Sequence, residues 1–387
     1  MSDQMVDVAV IGAGPAGSVC AYLTAKAGLS TLLLEEHEEP GLFVNCTGII
    51  GIEAFKKLNL PTESIVSRMQ SITFYAPSGR SFRYSPSEPL AYVVSRHRFD
   101  KALANLAHGH GATLRFGCHA RFIRVDSDAV ELRQREDDGD PVRAKTAVIA
   151  TGFGSNLPLQ VGLPGIREIV YGAQAELEME DVQEVEVYLG KEIAPQAFAW
   201  VVPLEAGRAR VGLTTAKEPS RYFQNFLEHP SLRNRIRTEK PRMLLSPIPI
   251  EPIERSVTDR VLVVGEAAGQ VKTTTQGGIY YGMLCAAMAA EALQEAFRRQ
   301  DFRAGMLRRY ERAWRQTLGQ ELKTGLQLRQ LFARLSDAQI DAMVELGTRD
   351  DIMGLVKRLA QFDWHRKLIE TSLKLPVLQQ VARTGLW

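Results

Sequence analysis

At 387 residues the chain is too long for one small core, and domains of roughly 100–200 residues predict two or three lobes. Apolar residues make up 45% and charged residues 24%, ordinary for a soluble globular protein, which excludes a disordered, collagen-like or membrane-embedded chain. A formal net charge of +2 supplies no global field for nucleic acid, so no nucleic-acid partner is expected.

The first residues, Met1 to Asp7, are polar and carry no basic-then-apolar leader, so a reducing cytoplasm is the expected compartment. Val6 to Ile11 is a short apolar run that predicts a buried parallel strand. A glycine-rich turn at 12–17 and an Ala-rich helix from Ser18 to Ala27 follow, with Gly28 as its stop. Thr31 to Leu34 predicts a second buried strand, and this β–turn–α–β unit opens an α/β fold. From Ile72 to Val94, short alternating segments around turns at 77–79 and 86–87 predict antiparallel strands. A helix over Arg98 to His108 precedes a meander of Phe122–Val125, Val130–Arg135 and Val142–Ala150, with turns at 126–128 and 137–140. Residues 169–254 are strand-rich and punctuated by prolines. Buried-strand character returns at Arg260–Gly265, a helix runs past Ala290, and the chain is helical from Asp301 onward with Pro376 as a late breaker.

These readings divide the chain at 1–168 (first part of a dinucleotide-binding domain, with 70–94 lending strands to the next lobe), 169–256 (an antiparallel substrate domain), 257–300 (second part of the dinucleotide-binding domain) and 301–387 (a helical region). The longest uncharged run, Thr273 to Ala290, is broken by Gly277, Gly278 and Gly282 and makes a poor membrane span. Cys20, Cys46, Cys118 and Cys285 form no CxxC, so neither zinc nor an iron–sulfur cluster is expected. His108 and His110 fit a helix end without an acidic partner, and no metal is expected there either.

A GxGxxG alone is weak evidence, but Gly12, Gly14 and Gly17 follow a strand and open a helix, with Ala16 inside the turn. Gly12 permits the tight turn, Gly14 lets backbone approach a pyrophosphate, and Gly17 lets helix and strand pack closely. The helix N-terminus supplies free N–H donors. Glu35 ends the next strand and suits a ribose 2′-OH, so an unphosphorylated adenosine ribose fits better than that of NADP.

Residues 261–282 read VLVVGEAAGQVKTTTQGGIYYG, a stretch that resembles the second flavin fingerprint of the FAD-dependent geranylgeranyl reductase family. That resemblance implies FAD as cofactor and a Rossmann-like, para-hydroxybenzoate hydroxylase-type fold. Gly265 ends a strand and presents Glu266, where the family more often has Asp, to the ribityl chain. Gly277, Gly278 and Ile279 start a helix whose positive end faces the flavin pyrimidine edge. The likeness runs to about residue 300. It implies flavin-loop roles for Cys46 and Thr47, a flavin contact for Arg96 within the segment 95–100, an adenine contact for the Ala120 backbone, and a cofactor-flanking strand end at residues 150–152 that includes Gly152. The family's Y-x-W-x-F-P signature corresponds to residues 198–203: Trp200 and Pro203 match, while Phe198 and Val202 depart and make the site more apolar. Phe198, Trp200 and Pro203 are thus candidate substrate walls, although Trp200 is equally compatible with a core position.

The family likeness implies saturation of carbon–carbon double bonds in an isoprenoid chain by hydride from reduced flavin N5, with a proton to the other carbon. Cys46, Tyr280 and water are the candidate proton donors; a buried free cysteine is more often inert. Hydroxylases of this fold carry Asp-Gly where this chain has Phe153-Gly154, so the electron donor, NAD(P)H or a reduced carrier protein, stays open. The rival readings are a flavin monooxygenase or halogenase of the same fold and an electron-transfer flavoprotein. The former pattern W-x-W-x-I-P is absent, as are the latter's cluster cysteines. The basic stretch 298–334 suggests peripheral docking on an anionic membrane face, against the alternative of a solvated or internally paired helix face.

Overall fold

The computed structural model describes residues 5–134, 141–377 and 379; the expected turn at 137–140, residues 1–4 and the chain beyond 379 lie outside the described residues. In chain order the first elements are β1 (Val6–Ile11), α1 (Pro15–Lys26), β2 (Thr31–Leu34), β3 (Ile49–Gly51), α2 (Ile52–Leu58), β4 (Ile65–Met69), β5 (Ile72–Tyr75), β6 (Ser81–Tyr84) and β7 (Ala91–Val94). Next come α3 (Arg96–Gly109), β8 (Thr113–Arg115), β9 (Phe122–Val125), β10 (Val130–Arg133), β11 (Val142–Ile149) and α4 (Leu157–Gln160). The strand-rich part holds β12 (Ile169–Glu178), β13 (Val185–Tyr188), β14 (Ala199–Pro203), β15 (Arg208–Thr215), α5 (Pro219–Leu227) and β16 (Leu244–Pro249). The remainder is β17 (Val257–Thr258), β18 (Val261–Val263), a 3-10 turn at Gly265–Ala268, α6 (Ile279–Arg299), α7 (Ala304–Phe332), α8 (Asp337–Gly347), α9 (Asp350–Leu359) and α10 (Arg366–Ser372).

Strand β1 runs parallel to β2 on one side and β11 on the other, so its last four residues are buried on both faces. β8 extends the sheet beyond β2, β18 lies parallel beyond β11, and the β9–β10 hairpin folds back on β11. Helices α1, α6 and α7 cover one face around the fully buried Trp314, whose indole N–H donates to Ser256 Oγ at 2.9 Å. The helices approach the sheet closely because the contacts are small: a Cβ on Gly282 would stand 3.2 Å from the Gly265 Cα.

The second sheet has the order β16-β12-β15-β14-β13-β5-β6 and is antiparallel except where β13 runs parallel to β5. Of the strands expected within 70–94, β5 and β6 join it, while β7 lies between β3 and β4 in a separate three-stranded sheet. The strand-rich segment also contains α5, whose Phe223 and Phe226 close the sheet's outer core.

Two helices begin earlier than the residue pattern predicts. α1 starts at Pro15, because the glycine-rich turn is itself its first turn and proline suits that position. α3 starts at Arg96, where Ser95 Oγ caps the Arg98 N–H. β3, α2, β4 and β8 carry no sequence signal strong enough to predict them; each is short and is ordered by its neighbours. Among the described residues no helix is long and apolar enough to cross a membrane.

A single cavity of about 1570 Å³ opens at the C-terminal ends of β1, β2, β11 and β18. It continues over the inner face of the seven-stranded sheet to residues of α7, α8 and α9.

Candidate active site

The cavity's first wall is made by the glycine-rich turn. Gly12 has φ +102°, and a Cβ there would lie 2.5 Å from the Ala150 carbonyl oxygen. On Gly17 a Cβ would lie 1.8 Å from the Gly12 carbonyl oxygen, so α1 seats directly on the turn. Gly14 differs: a Cβ would meet nothing within 4 Å and would project into open space. Neither α1 nor α6 has a side-chain cap, and the first residues of both line the same cavity. Two uncapped helix N-termini with a bare-backbone approach between them fit a dinucleotide pyrophosphate at one end and an electron-rich ring edge at the other.

Glu35, 9% exposed, accepts the Ala13 N–H at 2.8 Å and meets His37 Nδ1 at 3.0 Å. The carboxylate therefore fixes the turn as well as lining the cavity. Glu35, Glu36 and His37 bring ligand-type atoms within 4.8 Å of one another, although Glu35 is already committed to these bonds. Ala120 is buried in the opposite wall of this end.

Deeper in, Arg96 makes a bidentate pair with Asp100, at 2.9 and 2.7 Å. Burial works against the Arg96 charge, but Asp100 outweighs it, and the guanidinium also meets the Cys46 sulfur. Across the cavity, burial pushes the Glu266 carboxyl above the usual range, with Arg96 opposing that shift. Gly152, at φ +70°, brings its backbone to this carboxylate: a Cβ there would lie 3.7 Å from Glu266 Oε2. The loop carrying Cys46 and Thr47 is held by the other sheet. Thr47 Oγ1 donates to Gln174 Oε1 at 2.8 Å, and Arg210 donates to the Thr47 carbonyl at 2.6 Å while pairing with Glu176.

The second fingerprint is closed from outside by the C-terminal region. Lys272 and Asp363 form a buried ion pair at 2.7 Å, 91 residues apart. Tyr281 donates to the Asp363 carbonyl at 2.8 Å, and Thr274 bonds His365 Nδ1 at 2.6 Å. Burial, helped by Lys272, pushes the His365 pKa down to about 4.

The cavity wall on the seven-stranded sheet is apolar. Phe198, Trp200 and Val202 alternate onto one face of β14 and its lead-in, and all three line the cavity. Phe74 stacks on Phe82 at 4.8 Å, and a Cβ on Gly212 would lie 2.5 Å from the Trp200 ring, so the indole lies flat on that glycine. Among the described residues, the buried indole N–H of Trp200 has no acceptor.

The structure thus brings Gly12, Gly14, Ala16, Glu35, Cys46, Thr47, Arg96, Ala120, Gly152, Gly265, Glu266, Gly278, Ile279, Phe198 and Trp200 to one cavity, with Gly17 supporting it from behind. It does not bring Tyr280 or Pro203 there. Tyr280 turns its ring into the helical core and donates to Glu53 Oε1 at 2.9 Å. Pro203 alternates to the other side at the end of β14. Tyr281 is buried as well, so both tyrosines pack inward. Asp100, Gln174, Arg210 and Lys272 were missed, because each acts on partners remote in sequence or through a helix spacing with no motif of its own. In the basic stretch, Arg298, Arg299 and Arg309 share Glu295, Arg303 pairs with Asp301, and Arg315 donates to the carbonyls of Ile253 and Glu254.

The sequence pattern of the pyridine nucleotide-disulphide oxidoreductase family matches residues 6–188. A digeranylgeranylglycerophospholipid reductase of Methanocaldococcus jannaschii is 33% identical over 92% of this chain and 94% of its own length. A digeranylgeranylglycerophospholipid reductase 2 of Methanopyrus kandleri is 32% identical over 91% of this chain and 92% of its own. Among solved structures, a geranylgeranyl bacteriochlorophyll reductase-like protein from Thermoplasma acidophilum superposes with a TM-score of 0.85 at 24% identity, covering 98% of both chains. The halogenase PltM in complex with FAD superposes at 0.71 and 16% identity, covering 98% of this chain and 86% of its own. These structural likenesses establish the fold.

Proposed function

The chain belongs to the digeranylgeranylglycerophospholipid reductase family and is an FAD-dependent oxidoreductase; from that premise we propose that it saturates carbon–carbon double bonds in the prenyl chain of an isoprenoid lipid. The observation that carries this reading is the continuity of one cavity from the glycine-rich turn to the apolar wall of Phe198, Trp200 and the Phe74–Phe82 stack. An isolated alkene offers no oxygen to polarise, so shape and exclusion of water must do the positioning.

The bound cofactor supplies hydride to one alkene carbon. The protein's own residues do the rest. Gly14 and the α1 N-terminus would receive the pyrophosphate, Glu35 the adenosine ribose, and Glu266 the ribityl hydroxyls. The uncapped α6 N-terminus at Gly278 and Ile279 would favour the electron-rich edge of the flavin ring. Cys46, whose sulfur meets the Arg96 guanidinium, would give its thiol proton to the second carbon, and water would return that proton. Tyr280, held by Glu53 in the core, takes no part.

Electrons come from NAD(P)H or a reduced carrier protein, and anaerobic bleaching of the flavin by NADPH separates these sources. Because the substrate is a lipid, we infer peripheral contact with a membrane. Arg308, Arg312, Lys323 and Arg334 are the exposed basic residues of the stretch 298–334 that have no ion-pair partner among the described residues, and they remain available to anionic lipid. At about 1 kcal/mol each near an anionic surface, four give salt-sensitive vesicle binding, measurable by co-sedimentation.

Mass spectrometry of prenyl lipid incubated anaerobically with dithionite-reduced protein tests the central reading. Products heavier by hydrogen pairs, formed without oxygen, support it. Products carrying oxygen or halogen, formed only in air, would favour the monooxygenase or halogenase alternative.

A further inference from the structure

Four Lys and Arg side chains line the cavity: Arg96, Arg121, Lys272 and Arg329. Arg96 is committed to Asp100 and Lys272 to Asp363. Arg121 is exposed at the dinucleotide end, next to Ala120. Arg329 is different. It lies in the last turn of α7, partly buried, and among the described residues its guanidinium has neither a hydrogen-bond nor an ion-pair partner.

The surroundings locate this charge on the substrate side. One turn earlier on the same helix stripe, Gly325 packs against Thr273 and Thr274 of the second fingerprint. Leu328 beside it and Phe332 one turn on also line the cavity. Glu168 acts on Arg329 electrostatically without pairing with it, and its carbonyl accepts the Ile250 N–H just beyond β16. Arg329 therefore faces the outer end of the β12–β16 pair. There the strand pair ends at Ile169 and Pro249, and Ile248 lines the cavity. Removing this much water from an unpaired guanidinium lowers its pKa and costs free energy that an anionic ligand would return.

We propose that Arg329 is the head-group reader of the cavity: it binds the phosphate of a prenyl lipid whose hydrocarbon chain extends inward along the apolar wall. A planar guanidinium matches two phosphate oxygens at once, which a single lysine cannot do. This assignment rests on the prenyl-reduction reading and adds to it the residue that selects an anionic over a neutral isoprenoid. It also sets direction, since a head fixed at the β16 mouth leaves only the chain to reach the deep polar centre of Arg96, Cys46 and Glu266.

The experiment titrates FAD-loaded, oxidised protein with a prenyl monophosphate and with the corresponding prenyl alcohol, in one neutral detergent, following protein fluorescence. The native protein should bind the phosphate at least about 10-fold more tightly than the alcohol, the size of one charge-assisted hydrogen bond. Arg329→Gln should bring the phosphate down to the alcohol's affinity, and Arg329→Lys should keep part of the preference. A preference that survives Arg329→Gln, or none in the native protein, overturns the proposal. Displacement of the prenyl phosphate by inorganic phosphate alone at millimolar concentration would make this a free-anion site and also overturn it. Anaerobic reduction of the same two probes is scored separately: the expected binding pattern without any saturated product defeats the reductase reading and leaves the Arg329 assignment standing.

Discussion

Two walls of the same cavity are built by different physics. The wall at Gly12–Gly17 is backbone against backbone: α1 meets the turn at Gly17 at a distance no side chain allows, and Gly12 lies tightly on the Ala150 carbonyl. The opposite wall, at residues 272–279, is held by buried polar side chains reaching to residues 321–365, through Lys272–Asp363, Thr274–His365 and Thr273 to the Leu322 carbonyl. Glu321 adds to this by accepting the backbone N–H groups of His365 and Arg366. The first wall tolerates no added atom at Gly12 or Gly17. The second tolerates no lost partner. The consequence is that the same kind of insult, one substitution, should fail in opposite ways on the two sides.

Gly17→Ala is expected to have the largest effect. Its methyl would stand 1.8 Å from a carbonyl oxygen, so loss of more than about 4 kcal/mol is expected, read as failure to obtain folded, yellow protein. Gly14→Val supplies the contrast. Nothing lies within 4 Å of its added Cβ, so the apoprotein should melt within about 1 kcal/mol of the native one while losing FAD, seen as colourless folded protein. If Gly14→Val retains full flavin absorbance, the pyrophosphate assignment is wrong.

On the other wall, Lys272→Met leaves Asp363 buried and alone, and Asp363 Oδ2 has no partner even in the native structure. A loss of about 3–5 kcal/mol is expected in denaturant unfolding, with the double substitution Lys272→Met, Asp363→Leu recovering most of it. A double variant as unstable as the single one would show that packing, not charge, holds this wall.

His365 gives the wall a pH dependence. Its folded pKa lies near 4, below its ordinary 6.5, so the unfolded chain binds the proton first. Stability should therefore be whole above about pH 6.5 and fall as pH drops towards 4, by up to about 3 kcal/mol. His365→Gln should flatten that slope relative to the native protein; an unchanged slope assigns it to other groups.

The smallest expected effect returns to the cofactor. Glu266→Ala should weaken FAD by about 1.5–3 kcal/mol in a titration, without loss of fold. The effect should grow with pH, because burial raises the Glu266 pKa and only the ionised carboxylate is the stronger acceptor. Unchanged affinity would mean that Glu266 serves the protein and not the ligand.

What the sequence by itself determined is the part whose causes are local. The steric demand on Gly17 acts within a single turn, against the Gly12 carbonyl, and strand burial on β1 and β2 shows directly as the runs at 6–11 and 31–34. The second fingerprint was legible through its family resemblance, as were Phe198 and Trp200, which share the cavity because alternate residues of a strand share a face. That same alternation turned Pro203 away. Only the tertiary structure decided that Tyr280 faces Glu53 and not the cavity, because a helix of 21 residues buried on most of its surface gives no periodic signal of which neighbour each face meets. It alone decided which arginines of 298–334 are already paired, and which one, Arg329, stands unpaired in the cavity wall. Charge pairing and burial depend on distances between segments far apart in sequence, such as 272 and 363, and a linear sequence carries no record of those distances until the chain has folded.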